Sequence, residues 1–439
     1  MLLNDTIAAF ATSSASGAVA VLRLSGEKSL EILQTLTRKQ NFEPRKATLV
    51  NIYDENEVLD KALALYFKAP NSYTGQDIVE LSLHASPYIK TRVLQNCFKL
   101  GARQARAGEF TMRAYLNGKM DLAQAQGVAD IIASKNKAAH KAAMNTLEGK
   151  LSGELKEIKT DLMDLLAQVE VRLDDTDGEM QDLPKDYIEQ ILSKAQKHIT
   201  KLTNTFSNGK FVKEGIKTAI IGVPNSGKSS LLNALLGFDR AIVSDQSGTT
   251  RDTLDAEISI DGFNLILTDT AGIREHALDS AEIEGMQRSR KAAEQADIII
   301  FVHALERSAL EDKLLNQIKE TGKKIIEVYN KADLFKGEEK KNAISCKTGQ
   351  GLDDLKKEII KTIGLANLNQ DEVIITSALH YQALKKASEE LNFALEKSTE
   401  LDLMAAHLRW ALESLKELIG IFTPEDVLDI IFSKFCVGK

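Results

Sequence analysis

Residues 222–229 read Gly-Val-Pro-Asn-Ser-Gly-Lys-Ser, between the apolar run 218–221 and the helix-like stretch SLLNALLG. A glycine-rich turn joining a strand to a helix is the P-loop pattern in its required context. Its backbone N–H groups and the helix N-terminus suit it to cradle phosphates. No other feature constrains the fold as much. Further apolar runs at 263–267, 298–302 and 325–328 also end near Gly, Asp or Asn, with helical stretches between several of them. That is the pattern of a mostly parallel sheet with helices on both faces.

The flanks have another rhythm. No proline lies between Pro87 and Pro184. In that gap Leu155, Ile158, Leu162, Leu165, Leu166, Val169 and Leu173 recur at intervals of three and four, lining one helix face. The same spacing returns at Leu401, Met404, Leu408, Ala411, Leu412, Leu415 and Leu418. The expected fold class is therefore multidomain α/β plus α. An N-terminal α+β domain spans 1–117, and a P-loop domain at 213–368 is inserted into an α-helical domain split between 118–212 and 369–439.

With 439 residues and a formal net charge of -7, the chain is not a uniformly basic nucleic-acid binder. Local charge differs. Residues 86–119 carry Lys90, Arg92, Lys99, Arg103, Arg106, Arg113 and Lys119 against the single acid Glu109. This is either a solvated face or a phosphate-contacting surface. Residues 154–190 hold twelve acids against four bases, read as a solvated face. Cys97, Cys346 and Cys436 have no metal-like spacing, which fits a reducing cytoplasm without disulfides. The most apolar run is five residues, far too short to span a bilayer, so no membrane partner is expected. The start has no signal-peptide pattern. Cys436 stands fourth from the end, but Gly438 and Lys439 do not suit a prenylation box.

Three further elements follow the P-loop in order. Asp269-Thr270-Ala271-Gly272 closes a strand; its aspartate is expected to hold Mg²⁺ through water and its glycine N–H to bind the γ-phosphate. Asn330-Lys331-Ala332-Asp333 follows another strand. The Asp333 carboxylate can accept both N–H groups of guanine, which adenine does not offer, so the motif selects GTP over ATP. Ser345-Cys346-Lys347 stands where a backbone N–H would meet the guanine oxygen. Lys228 is expected on the β- and γ-phosphates and the Ser229 hydroxyl on Mg²⁺. Thr250, within 247–252 (Ser-Gly-Thr-Thr-Arg-Asp), is the natural switch residue that closes on Mg²⁺ and the γ-phosphate. The expected nucleotide contacts thus comprise Asn225, Ser226, Gly227, Lys228, Ser229 and Ser230 of the P-loop. They continue through Ser244, Asp245, Gln246, Ser247, Gly248, Thr249 and Thr250, then Asp269, Thr270, Ala271 and Gly272. Asn330, Lys331, Asp333, Ser345 and Lys347 complete them.

After this glycine comes Ile273, with no nearby glutamine to orient an attacking water. An arginine from outside is one substitute and a monovalent cation is another. The Asn225 side-chain oxygen, beside the phosphates, and carbonyls of the 244–249 loop can form an oxygen cage for K⁺. Asn225 can instead merely stabilise its loop. The sequence favours potassium, with Asn225 and Lys228 in catalytic roles.

Several stretches resemble the MnmE/TrmE family over nearly the whole chain. They are DTIAAFAT followed by GAVAVLRLSG, SYTGQDIVEL at 72–81, GEFTMRAYLNGKMDLAQAQGVADII at 108–132, and the terminal FCVGK. The resemblance implies a homodimer whose N-terminal domain binds 5-formyltetrahydrofolate or another one-carbon tetrahydrofolate, with contacts at Arg23, Glu80 and Lys119 and with Lys439 nearby. It implies a heterotetramer with the FAD protein MnmG. Together they build an aminomethyl or carboxymethylaminomethyl group on carbon 5 of the wobble uridine of certain tRNAs. It implies K⁺ ligands at Asn225 and at the carbonyls of Ser244, Gln246 and Thr249, and Glu282 as a catalytic residue that positions water. The reading set against it is a solvent-facing helix acid.

Two departures fall in the N-terminal domain. Ser13-Ser-Ala-Ser-Gly17 stands where the family has Pro-Pro-Gly-Arg-Gly, and Ala85-Ser86 replaces a Gly-Gly pair. Arg23 and Glu80 can also be read as a structural ion pair, and Cys436 as packing or as part of the modification chemistry. The rival function is an RNA-binding GTPase switch in ribosome assembly. Against it, about 70 helical residues follow the P-loop domain with no KH-like GXXG loop.

Overall fold

A computed structural model describes residues 5–12, 17–175, 179–238, 256–267, 282–304, 308–334, 341–366, 368–369, 371–419, 428, 431–433, 435 and 437–438, with the backbone alone at 238, 282–288 and 419. The chain divides into two compact units: residues 1–129, 146–163 and 409–439, and residues 130–145 and 164–408.

The first unit contains a six-stranded sheet. Its strands are β1 (Thr6–Phe10), β2 (Val19–Ser25), β3 (Thr48–Asp54), β4 (Glu57–Phe67), β5 (Ile78–His84) and β6 (Ala102–Gln104). Their order is β3-β4-β5-β2-β1-β6, antiparallel except for the β1–β6 pair. Period-two patterning sets the two faces. Leu22 and Leu24 of β2, Ala62 and Ala64 of β4, and Val79, Leu81 and Leu83 of β5 point to one buried side. There they meet Ile32, Leu33 and Leu36 of α1 (Ser29–Thr37) and Val93 and Cys97 of α2 (Pro87–Lys99). The alternate residues, Arg23 and Glu80 among them, fall on the opposite face. Leu49 and Leu63, cross-strand partners there, are largely exposed.

In the second unit lies a five-stranded sheet of β7 (Ile216–Ile221), β8 (Ala256–Ile260), β9 (Phe263–Leu267), β10 (Ile298–His303) and β11 (Lys324–Tyr329). The order is β11-β10-β7-β9-β8, and only the β8–β9 hairpin is antiparallel. All four strands expected from the sequence form; β8 is the addition. Every residue of β10 is buried, as a parallel strand covered on both faces requires. One face packs Leu231, Leu232 and Leu235 together with Leu355 and Ile359. The other packs Ala293, Leu314, Leu315 and Ile318. Helix Lys137–Leu147 adds Ala138, Ala139 and Ala142 to the first of these cores, and its Ala138 N–H donates to Gly262 O at the hairpin turn, 3.1 Å.

The two helices read from periodicity span Lys150–Leu173 and Leu401–Ile419. Leu155, Ile158, Leu162, Leu165 and Val169 are buried in the first, and Met404, Leu408, Ala411, Leu412, Leu415 and Leu418 in the second. Among the described residues, no helix is long and apolar enough to cross a membrane.

Candidate functional site

The P-loop leaves the C-terminal end of β7, the end at which parallel sheets present ligands. Two residues take the left-handed backbone: Asn225 at φ 63° and Gly227 at φ 101°. At Gly227 no side chain fits, because a Cβ would lie 2.1 Å from Asn330 Nδ2. The P-loop and the Asn330 loop are thus in direct contact. Lys331 reinforces that contact, donating through Nζ to Asn225 O at 3.3 Å.

Helix Lys228–Phe238 begins at the motif lysine. Lys228 Nζ folds across the loop to Gly222 O (2.9 Å) and Val223 O (3.0 Å). Burial pulls its ammonium below the ordinary lysine range. Ser226 is buried, and its hydroxyl has no partner among the described residues. An orphaned hydroxyl inside a turn of left-handed residues, at a helix N-terminus, fits a phosphate cradle. Asn225, Ser229 and Ser230 face solvent on its rim.

Beyond β11, Asn330 is buried; its Oδ1 accepts from Lys331 N (2.7 Å) and Cys346 N (3.4 Å). Asp333 is exposed, and one carboxylate oxygen accepts from the buried Ser345 hydroxyl at 2.7 Å. That bond orients the carboxylate. The structure therefore gathers Asn225 to Ser230, Asn330, Lys331, Asp333 and Ser345 at one end of the sheet. Lys347 lies exposed on the same loop as Ser345. Burial pushes the Cys346 thiol up to about 11, so this cysteine is a poor nucleophile. Ser244, Asp245, Gln246, Ser247, Gly248, Thr249, Thr250, Asp269, Thr270, Ala271 and Gly272 lie outside the described residues, as does the Glu282 side chain.

On the second face of the N-terminal sheet, Arg23 of β2 and Glu80 of β5 are cross-strand partners, both partly buried. Arg23 Nε donates to Glu80 Oε1 at 2.8 Å. The guanidinium lies 5.7 Å from the ring of Tyr73 and 5.6 Å from that of Phe110, and it reaches Gly438 O at 3.4 Å. Gly438, at φ 96°, is pressed against β1: a Cβ there would meet Phe10 O at 2.1 Å. Lys119 Nζ donates to Pro70 O at 3.1 Å. Lys439 and Cys436 lie outside the described residues, as do residues 13–16.

The basic stretch 86–119 is in part an internal feature. Arg92 pairs with Asp54 at 2.7 Å. Arg103 and the fully buried Arg113 share Asp5 and the buried Glu109, at 2.5 to 3.0 Å. Burial raises the Glu109 carboxyl, but the bonds from Arg103 and Arg113 outweigh it and hold the group below the usual range. Sequence spacing does not reveal this, because Asp5 is about 100 residues from its partners.

Two family descriptions match: "MnmE helical domain" over residues 122–436 and "GTP-binding protein TrmE N-terminus" over residues 6–119. The chain belongs to the MnmE family. The tRNA modification GTPase MnmE of Aquifex aeolicus (strain VF5) is 41% identical over 453 residues, covering all of both chains. That of Christiangramia forsetii is 37% identical over 475 residues, again over the whole of each. Aliarcobacter butzleri has a relative of the same name, 39% identical over 451 residues and 100% of both chains. Membership of this family, whose relatives match over the full length of the chain, makes it a GTP-hydrolysing enzyme.

Proposed function

We propose that this chain hydrolyses GTP in the service of tRNA modification, and that it does so with potassium. The observation that carries the reading is the contact of the P-loop with the guanine loop through Gly227 and Asn330, beside the exposed Asp333. The relatives named above support the tRNA part. Within the site, Lys228 would withdraw from the loop carbonyls to meet the β- and γ-phosphates, and Ser229 would hold Mg²⁺ together with Thr250. Asn225 offers a hard side-chain oxygen on the rim, the donor type an alkali ion needs. Ser244, Gln246 and Thr249 would complete that K⁺ site with their carbonyls, and Glu282 would position the water. A bound cation there neutralises charge that develops on the phosphates.

On the N-terminal sheet, Arg23, Glu80 and Lys119, with Lys439, are the proposed contacts for 5-formyltetrahydrofolate or another one-carbon tetrahydrofolate. Glu80 can accept two N–H groups of a pterin edge once Arg23 yields part of the pair, and the partly buried Tyr73 ring, 5.7 Å from the guanidinium, supplies flat surface nearby. We propose a homodimer that assembles with MnmG into a heterotetramer in the cytoplasm. The modification would be an aminomethyl or carboxymethylaminomethyl group on carbon 5 of the wobble uridine. The proposed division remains 1–117 for folate and dimerisation, 118–212 with 369–439 as the helical domain, and 213–368 as the G domain. Mass spectrometry of wobble uridines from cells lacking the chain tests the whole reading. Loss of the carbon-5 substituent is expected; unchanged uridines would favour the assembly-switch alternative.

A further inference from the structure

Next to the guanine loop is a buried charged cluster that the nucleotide motifs do not include. His303, the last residue of β10, has only 1% of its side chain exposed. Its Nδ1 lies 2.5 Å from Glu311 Oε1, and its Nε2 lies 3.0 Å from Glu327 Oε2. Both ring nitrogens thus lie against carboxylate oxygens, so the ring is held in its plane from two sides. Glu311 is also buried, and its other oxygen accepts from Ala304 N at 3.2 Å. Lys319 Nζ lies 3.1 Å from Glu327 Oε1 and fixes that carboxylate from its other side.

Replacing such a cluster with apolar side chains often costs nothing in stability, so its presence points to a need for placement rather than for cohesion. What it places is visible. The His303 ring stacks on Tyr329, with centroids 4.4 Å apart and planes 9° from parallel. Tyr329 is the last residue of β11 and immediately precedes Asn330. Its backbone also holds the other guanine loop, accepting from Ile344 N at 2.8 Å one residue before Ser345. On its other side, Val302 O sits where a Cβ on Gly222 would fall, at 2.4 Å, so the same strand end abuts the P-loop.

We propose that His303, fixed between Glu311 and Glu327, is a positioning residue for guanine-nucleotide binding, acting through Tyr329 on the loops of Asn330 and Ser345. The inference rests on the nucleotide reading of that site. It concerns ground-state binding of the base, so it acts alike on GTP and GDP and leaves the phosphate chemistry aside.

The test is His303→Gln in the full chain, which keeps one donor and one acceptor but loses the ring that stacks on Tyr329. Fluorescence titration with labelled GDP and GTP is expected to show Kd raised about tenfold for both. Steady-state turnover is expected to show KM for GTP raised in parallel, with kcat changed less than about twofold. Glu327→Gln, at a side chain 35% exposed, provides a second variant that spares the buried ring. It is expected to raise both Kd values about threefold, and it serves if circular dichroism shows His303→Gln unfolded. A folded variant that binds both nucleotides with the parent's Kd, or that loses kcat at unchanged Kd, overturns the proposal. Failure of the unmodified chain to bind guanine nucleotides in the same titration would instead overturn the reading of the site itself.

Discussion

The two sheets of this chain place their chemistry in different ways. In the five-stranded parallel sheet both faces are covered, and β10 is buried from end to end. No face is left for a ligand, so the candidate site lies at strand ends and is built largely from backbone and from close approach. In the six-stranded, mostly antiparallel sheet one face is packed on helices α1 and α2, and the other is covered along β1, where Ile7 and Ala9 meet Ala105 and Phe110, but partly exposed farther along the sheet. Its candidate site consists of side chains standing on the other face, Arg23 and Glu80, held in register by β2 and β5. A backbone-built site should fail when a single carbon is added. A side-chain-built site should fail when a functional group is removed.

The largest effect is expected at Gly227. Gly227→Val puts a Cβ onto the Asn330 amide and forces a residue at φ 101° into strain. GTP affinity should drop by at least about 100-fold in a nucleotide titration, with folate binding by the same preparation unchanged. Parent-like GTP affinity would break the comparison at its root. Asp333→Asn comes next. Removing the acceptor of two guanine N–H groups should weaken GTP by about 100-fold and shift preference to xanthosine triphosphate. If GTP affinity persists, Asp333 does not read the base.

A third expectation concerns the cation. Turnover in KCl should exceed that in NaCl at equal ionic strength by about tenfold or more. Equal rates in the two salts would remove Asn225 from its proposed role as a potassium ligand. On the other sheet, Arg23→Ala should weaken 5-formyltetrahydrofolate by about tenfold, the value of one charge-assisted contact, and leave GTP turnover within about twofold. An unchanged folate titration would assign Arg23 and Glu80 to a structural ion pair alone.

The smallest effect concerns acid stability of the N-terminal unit. Glu109 and Asp5 are both held below their ordinary values: burial raises each, and bonds from Arg103 and Arg113 more than reverse it. A depressed carboxyl contributes stability that is present above its unfolded pKa and lost as pH falls through the folded one. Glu109→Gln should therefore lower the melting temperature at pH 7, and the gap from the parent should shrink below about pH 4. A gap of constant size across that range would show that packing, and not charge, accounts for the loss.

Much of the fold was legible because each sheet writes its own period into the sequence. Continuous apolar runs announced β7, β9, β10 and β11, and intervals of three and four announced the helices Lys150–Leu173 and Leu401–Ile419. β8 was not announced: AEISI is short, half polar, and follows a stretch read only for its switch motif. The nucleotide motifs were legible because their residues are contiguous. The cluster of His303, Glu311, Glu327 and Lys319 was not, since its members come from two strands and a helix and carry no motif.

By itself the sequence determined which stretch would form the P-loop turn and the fold class of the chain, and it raised the expectation that Asp333 reads guanine. Those properties follow from local chemistry: glycine where the backbone turns left-handed, a carboxylate opposite two N–H groups, and the spacing of apolar side chains. Only the tertiary structure decided that Asn330 would bar a side chain at Gly227, that Arg103 and Arg113 would pair with Asp5 and Glu109, and that the buried His303 ring would stack against Tyr329. Charge and contact depend on distance in space, and chain separation says nothing of it until the fold has brought the partners within a few ångströms.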